Sequence, residues 1–247
     1  MADARAGRGA GFSRIRLAHV ELVIFDCDGV LIDSESIASL ALSETLGEFG
    51  VVMTPDEAHA RFTGGAEEDT RAHCRELLGT TALDEFFALY AKRLYGGFRN
   101  LREVEGIGDV VRALDCPRCV ASNSSLYRLT RSLGRLDLWQ AFAGQVFSAD
   151  LVARPKPAPD LPLLCAAEFG AHPARCVVID DSPHGIEAAV AAGMLAIGFV
   201  EPGDPRPSRP DVLRRHGARF VAEGSDALRA LLPEADAWLG ERRRDPG

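Results

Sequence analysis

The sequence predicts an α/β fold, in which a parallel sheet lies between two layers of helices and a small helical domain is inserted near its beginning. Two observations carry this prediction. Short runs rich in β-branched and apolar residues alternate with stretches of helical periodicity along most of the 247 residues. The first two predicted strands are separated by a long interval, residues 34–100, that contains only helical patterns.

The elements of the predicted core follow one another along the chain. Its strands are expected at residues 20–26, 119–122, 145–147, 176–180, 195–200 and 219–222. Its clearest helices are expected at residues 108–114, 124–133, 160–169, 186–192 and 226–232. Strands that alternate with helices in this way form parallel sheets, because each crossover needs a helix to return the chain to the same edge.

The interval between the first two strands predicts four helices. Residues 34–49 carry apolar side chains at helical spacing, with Ser34 as a plausible N-cap and Gly50 as a stop. Pro55 after Thr54 is typical of the first position of a second helix. Two further helices are expected at residues 67–78 and 83–95. The sequence therefore predicts a flexible tail at residues 1–16, a core formed by 17–33 and 101–240, and a helical domain at 34–100.

Composition excludes several classes of protein. Hydrophobic residues make up 47% and charged residues 26%, which is typical of a globular chain rather than a disordered one. The net charge of −8 is opposite to the basic face that a nucleic-acid partner needs. The longest apolar run, at residues 188–200, is too short to span a bilayer, so no membrane partner is expected. The beginning of the chain lacks an apolar signal region, which favours a cytoplasmic protein.

Two pairs of aspartates follow predicted strands. Asp26 and Asp28 alternate after the first strand and can therefore face one pocket, and Gly29 lets the chain turn away. Asp180 and Asp181 end a later apolar strand. Each pair alone is compatible with a simple polar turn. Together, at the edge of a parallel sheet where ligands bind, they offer the hard oxygen ligands that Mg²⁺ prefers.

A serine-rich turn and a single lysine supply candidate phosphate contacts. Ser122 and Asn123 lie between a strand and a helix, where hydroxyl and backbone N–H groups suit a phosphate, although a plain N-cap is the more common explanation of such a turn taken alone. Lys156 stands between prolines in a chain that has 28 basic residues, of which only Lys92 and Lys156 are lysines. A lysine retained in this arginine-rich background indicates chemistry that needs a compact ammonium group.

The motifs taken together resemble the haloacid dehalogenase superfamily. They are Asp-x-Asp-Gly-Val at 26–30, Asp-Ser-Glu at 33–35, a serine at 122, Lys-Pro-x-Pro-Asp at 156–160 and Asp-Asp-Ser-x-x-Gly at 180–185. The resemblance covers residues 20–200. It is strongest to the β-phosphoglucomutase-like branch, and within it to phosphatases of 6-phosphogluconate and other sugar phosphates. It implies a Rossmann-like core with a small helical cap.

The resemblance also implies a role for each motif. Asp26 would be the nucleophile that forms an aspartyl-phosphate, and Asp28 the general acid and base. Ser122 and Lys156 would complete the catalytic set and, with Asn123, bind the phosphoryl group. The Mg²⁺ ligands would be Asp26, the main-chain carbonyl of Asp28, Asp181, and Asp180 either directly or through water. Thr63, Gly64 and Gly65 would form a cap loop that faces the substrate, since the glycines permit close approach to a ligand, although a turn between two helices explains them equally well.

The expected activity is therefore Mg²⁺-dependent hydrolysis of a small phosphorylated metabolite. A sugar-phosphate mutase is the first alternative, but such mutases carry a histidine where this chain has Ala38 and an arginine where it has Glu67. A non-catalytic module that binds a phosphorylated metabolite is the second alternative, although every motif position is intact. The chain is expected to be a monomer or a weak homodimer.

Overall fold

The computed structural model describes residues 14–63, 67–202, 204, 206 and 208–242. Its six strands are β1 (Leu22–Phe25), β2 (Arg118–Ser122), β3 (Val146–Ser148), β4 (Cys176–Asp180), β5 (Leu195–Val200) and β6 (Phe220–Glu223). They form one parallel sheet in the order β3-β2-β1-β4-β5-β6. The chain therefore runs outward from β1 in one direction and then from β4 in the other, so the order reverses between β1 and β4.

Ten α-helices accompany these strands in the described part of the chain. The insertion between β1 and β2 contains α1 (Glu35–Glu48), α2 (Pro55–Phe62), α3 (Glu67–Leu78) and α4 (Leu83–Gly97). The core contains α5 (Ile107–Ala113), α6 (Leu126–Arg131), α7 (Asp160–Phe169), α8 (Pro183–Ala191), α9 (Arg209–Arg215) and α10 (Ser225–Arg242). None of the helices in this part of the chain has the length and apolar character that crossing a bilayer requires.

The sheet is buried on both faces because its side chains alternate between two apolar clusters. Val23 and Phe25 pack with α5 and α10 on one face, whereas Leu22 and Ile24 pack with α7, α8 and α9 on the other. A parallel sheet covered in this way needs continuous apolar strands, and the central strands supply them. The predicted three-layer α/β/α core is confirmed.

The helical insertion has an apolar core of its own. Leu42 and Leu46 of α1 pack against Ala58, Cys74 and Phe86 from the other three helices. The chain leaves the sheet and returns to it side by side, because Ile32 pairs with Glu103 in an isolated antiparallel bridge. The insertion is therefore connected to the core by two adjacent segments beside the end of β1. This connection places it next to the polar residues that follow the strand.

Three expectations about the elements need correction. Ile15 is buried and its backbone N–H donates to Ala113, so the tail predicted at residues 1–16 ends earlier, and residues 1–13 lie outside the described residues. The last helix was expected to stop at residue 232, but α10 continues through Pro233 to Arg242. Ser34 precedes α1 without capping it, because its backbone (φ −92°, ψ −17°) is helical rather than extended and its oxygen accepts no bond from the first turn; its hydroxyl donates to the Asp28 carboxylate.

Candidate active site

The sequence motifs meet at one edge of the sheet. Asp26 directly follows β1, Ser122 is the last residue of β2, and Asp180 is the last residue of β4. Because β1 lies between β2 and β4, these three strand ends are adjacent. All three side chains are buried. The site therefore forms where the strand order reverses, which is the usual place for a ligand in an open α/β sheet.

Lys156 is the central cation of this edge. Its Nζ donates to Asp26 Oδ1 at 2.8 Å, to Asp180 Oδ2 at 2.7 Å and to the carbonyl oxygen of Ala121 at 2.7 Å. Only 4% of the residue is exposed, so all three ammonium protons are used inside the protein. Burial alone would lower the pKa of Lys156, but the Asp180 and Asp26 charges raise it above its usual value. The lysine therefore stays charged and holds both carboxylates.

Asn123, a predicted substrate contact, lines the cavity described below and also bonds to the main chain of Lys156. Its side-chain Nδ2 donates to the Lys156 carbonyl oxygen, and its Oδ1 accepts from the Lys156 backbone N–H, both at 3.0 Å. This pair of bonds fixes the loop that carries the lysine. Ser122 Oγ accepts from the backbone N–H of Ser124 at 3.1 Å, which leaves its hydroxyl proton for an acceptor in the site.

Three buried carboxylates form a candidate Mg²⁺ site. One oxygen each of Asp26, Asp180 and Asp181 lies within 4.8 Å of the others. Burial raises the pKa of Asp26 well above its ordinary value, Lys156 opposes this effect, and the charges of Asp180 and Asp181 add to it. Burial and Asp180 likewise raise the pKa of Asp181, against the effect of Arg206. Such mutual repulsion between hard oxygen ligands is what a bound divalent cation relieves, so the residues fit Mg²⁺.

The carboxylate of Asp28 is not part of this cluster and has partners of its own. It accepts hydrogen bonds from the Ser34 hydroxyl, from Ser124 Oγ at 2.7 Å and from Arg128 Nη2 at 3.1 Å. Burial would raise the pKa of Asp28, but Arg128 and the two serine hydroxyls lower it below its ordinary value. Asp28 is therefore held as a carboxylate next to α6, close to the reaction centre.

Sequence reasoning missed the arginines of the site. Arg206 Nη2 lies 3.0 Å from Asp181 Oδ2, 2.6 Å from Asp204 Oδ2 and 3.5 Å from Glu35 Oε2. It thus ties a candidate metal ligand to the first helix of the insertion. Arg128 pairs with Asp28 from the first turn of α6. Its position one turn after the Ser122–Asn123 motif was the only indication available in the sequence.

A cavity of about 230 Å³ joins the core and the insertion above these residues. Asp26, Lys156 and Ser122 line it from the core, and Thr63 and Tyr90 line it from the insertion. Thr63 therefore lies where a substrate-facing residue was expected. The predicted partners Gly64 and Gly65 lie outside the described residues. A space of this size, closed on one side by charged groups, suits a small polar metabolite rather than a polymer.

Gly185 is required by the close approach of α8 to Asp180. A Cβ atom at this position would lie 1.7 Å from Asp180 Oδ2, the oxygen that accepts from Lys156. We expect Gly185→Ala to displace the carboxylate, to lower the free energy of unfolding by about 1–3 kcal/mol and to reduce activity. Urea unfolding measures the first effect. Gly47→Ala in α1 is the control, because its Cβ would meet nothing within 4 Å. Equal stability of both variants would contradict the expected role of Asp180.

Comparison with known proteins identifies the class of this fold and site. A family model described as haloacid dehalogenase-like hydrolase matches residues 20–193. The chain belongs to this family, as its motifs predicted. The 6-phosphogluconate phosphatase of Escherichia coli (strain K12) is 30% identical over 187 residues, which cover 74% of this chain and 84% of the relative.

Two solved structures extend the comparison. A family hydrolase from Deinococcus radiodurans R1, with bound phosphate and sodium, has a TM-score of 0.76 and 32% identity over 88% of this chain and 97% of its own. A structure from Thermotoga maritima that bears a β-phosphoglucomutase name has a TM-score of 0.66 and 26% sequence identity. The match covers 90% of this chain and 99% of that chain. The predicted resemblance to this branch and to its sugar-phosphate phosphatases is confirmed.

Proposed function

We propose that the protein is a Mg²⁺-dependent phosphatase that hydrolyses a small phosphorylated metabolite, either a sugar phosphate or a compound similar to 6-phosphogluconate. The observation that carries the proposal is the buried ion pair between Asp26 and Lys156 on the floor of a small cavity, beside two further carboxylates. Such an arrangement provides a nucleophile, a fixed positive charge and a metal site together, which are what phosphoryl transfer requires. The 6-phosphogluconate phosphatase relative supports the substrate class.

The reaction follows from the residues in two steps. Asp28 first leaves Arg128 and takes up a proton from solvent, because its carboxylate has then lost the groups that keep it ionised. A carboxylate oxygen of Asp26 attacks the phosphorus atom, and the bond to the leaving oxygen breaks as Asp28 donates this proton to it. Asp28 then takes a proton from water, whose oxygen attacks the phosphorus and releases phosphate and Asp26. Lys156 holds Asp26 in line and neutralises the phosphoryl oxygens. Asp26, Asp181 and the Asp28 main-chain carbonyl, with Asp180 direct or through water, would hold Mg²⁺, which would supply further charge neutralisation.

The remaining predicted residues bind the substrate and shield it from water. The Ser122 hydroxyl donates to a phosphoryl oxygen, while Asn123 positions Lys156 through its main chain. Thr63 contacts the leaving group from the insertion. We infer that residues 34–100 act as a cap domain on a core of 17–33 and 101–240, and that the cap excludes water during the first step.

The mutase alternative receives less support from the site. Ala38 lines the cavity at the position where the related mutases carry a histidine, and a methyl group transfers no proton. A monomeric or weakly dimeric state and a cytoplasmic location remain predictions from the sequence. Size-exclusion chromatography with light scattering tests the first of these.

The proposed activity predicts release of inorganic phosphate that depends on Mg²⁺. Purified protein is incubated with 6-phosphogluconate, hexose 1- and 6-phosphates, phosphoglycolate and pyridoxal phosphate, with Mg²⁺ or with EDTA. We expect release from at least one sugar phosphate with Mg²⁺ and a loss of activity with EDTA, restored by excess Mg²⁺. Interconversion of hexose 1- and 6-phosphates without release would instead favour the mutase. Binding without either reaction would favour the non-catalytic module.

A further inference from the structure

Arg128 and Asp28 form an ion pair on the wall of the cavity, next to the reaction centre. Arg128 Nη2 lies 3.1 Å from Asp28 Oδ1, and both side chains line the cavity that also contains Asp26 and Lys156. About a quarter of the Arg128 side chain is exposed, and 18% of the Asp28 side chain. The pair is thus largely shielded from bulk water, so its two charges depend on each other.

The proposed reaction requires this pair to separate. Asp28 has to reach the leaving oxygen of a phosphate ester on Asp26, but here its carboxylate is turned toward α6. When Asp28 moves, the guanidinium of Arg128 loses the one carboxylate with which it pairs among the described residues. It is then left in a cavity from which the substrate and the insertion exclude water. An unpaired charge in such a place is costly, so the movement is easier when another anion takes the position of Asp28.

The guanidinium also has an unused donor on the same edge. Arg128 Nε is buried and has no hydrogen-bond partner among the described residues. Nε and Nη2 together form an edge of the planar guanidinium that matches the two oxygens of one carboxylate. Once Asp28 has left, both donors are therefore available to a single carboxylate. A sugar hydroxyl neither neutralises the charge of the guanidinium nor accepts hydrogen bonds from both donors.

The position of Arg128 fixes which part of a substrate it meets. The phosphoryl group belongs beside Lys156 and Asp26, whereas Arg128 lies in the same cavity beside Asp28, the proposed proton donor to the leaving oxygen. Arg128 therefore faces the leaving group rather than the phosphate. We propose that Arg128 is a specificity-determining residue that binds a carboxylate of the leaving group, which makes phosphorylated sugar acids the preferred substrates and frees Asp28 for catalysis. This inference rests on the proposed phosphatase function.

The test uses two substrates that differ only in the relevant group. 6-Phosphogluconate and glucitol 6-phosphate are both open-chain esters, one with a carboxylate and the other with a hydroxymethyl group at the far end. We expect the wild-type protein with Mg²⁺ to favour the acid by roughly 100-fold in kcat/KM. We expect part of this preference to appear in kcat, because carboxylate binding frees Asp28. Arg128→Gln should reduce the ratio of the two kcat/KM values to nearly one.

Controls separate recognition from a structural effect. Arg131→Gln removes a charge from the same helix, where the exposed Arg131 contacts Tyr127, and it should leave the ratio unchanged. Arg128→Lys keeps the charge without the paired donors and should retain only part of the preference. If Arg128→Gln slows both substrates equally and leaves the ratio as in wild type, or if wild-type protein shows no preference, the inference is wrong.

A binding measurement keeps this inference distinct from the proposed function. Calorimetry with Asp26→Asn compares the affinities for the two esters without turnover, and Asp26→Asn combined with Arg128→Gln provides the comparison. A preference for 6-phosphogluconate that disappears in the double variant supports the role of Arg128 even if the wild-type protein releases no phosphate. Equal affinities for the two esters in Asp26→Asn overturn it, whatever the outcome of the phosphatase assay.

Discussion

Asp26→Asn is expected to abolish phosphate release, lowering turnover by roughly 10⁴-fold or more. The amide cannot form the acyl-phosphate bond that splits hydrolysis into two steps. The fold should persist, because the amide has nearly the same shape and Lys156 keeps its bond to Asp180. Burial and the neighbouring acids raise the pKa of Asp26, so its charge opposes folding and its removal should not reduce the free energy of unfolding.

Rates of phosphate release and thermal unfolding curves measure the two parts of this prediction. Asp84→Asn is the matched control, since it makes the same chemical change on the exposed side of α4. It should leave activity unchanged and lower the melting temperature only slightly, because Asp84 lies in the first turn of α4, where a carboxylate favours the helix dipole. Turnover close to that of wild type in Asp26→Asn would remove Asp26 as the nucleophile and with it the proposed reaction.

Lys156→Met is expected to damage both stability and activity. The change leaves Asp26 and Asp180 as neighbouring buried carboxylates without their cation, which should lower the free energy of unfolding by about 3–5 kcal/mol at neutral pH. Activity should fall by at least about 10²-fold, because the phosphoryl group loses a fixed positive charge. The loss of stability should be smaller at low pH. Because the pKa of Asp26 is already raised in the folded protein, acid protonates this carboxylate, and a neutral Asp26 no longer requires the positive charge of Lys156 beside it.

Urea unfolding at pH 5 and pH 8, together with phosphate release, tests this expectation. Lys92→Met is a natural control, because Lys92 is the only other lysine of the chain and is exposed on α4. Lys156→Arg adds a sharper comparison: it keeps the charge, but a planar guanidinium does not reproduce the three directions of the ammonium bonds. A Lys156→Met protein as stable as Lys92→Met at pH 8 would contradict the central role of this side chain.

Elements defined by local patterns could be predicted from the sequence. The bounds of β4, β5 and α7 agree with the prediction, because continuous apolar runs end there at clear polar or glycine breaks. The position of the site was equally predictable. Parallel strands bring their carboxyl ends to one edge, so polar residues after separate strands had to meet.

Features set by distant contacts were not predictable in the same way. The last helix was predicted only as far as residue 232, but packing of Leu232, Ala235 and Leu239 on the core continues α10 through Pro233. Ser34 had the appearance of an N-cap because a short hydroxyl before a helix usually is one, whereas its backbone is helical and its side chain is directed to the Asp28 carboxylate. In both cases tertiary structure overrides the local preference.

The arginines of the site illustrate the same limit. The chain contains many arginines, and apart from the position of Arg128 after the Ser122–Asn123 motif no local feature distinguishes Arg128 or Arg206 from those on the surface. Only the fold brings Arg128 to Asp28, across 100 residues of sequence, and Arg206 to Asp181. Asn123 differs, since its place in the motif was predictable but its use on the Lys156 backbone was not.

The burial of Lys156 has a practical consequence for chemical labelling. With one of the two lysines enclosed by carboxylates, the chain presents a single accessible lysine side chain, that of Lys92. Lys92 lies on α4 of the helical insertion. A dye or cross-linker directed at lysine side chains of the native protein therefore marks the insertion alone and leaves the sheet unlabelled, so its signal follows the insertion relative to the rest of the molecule.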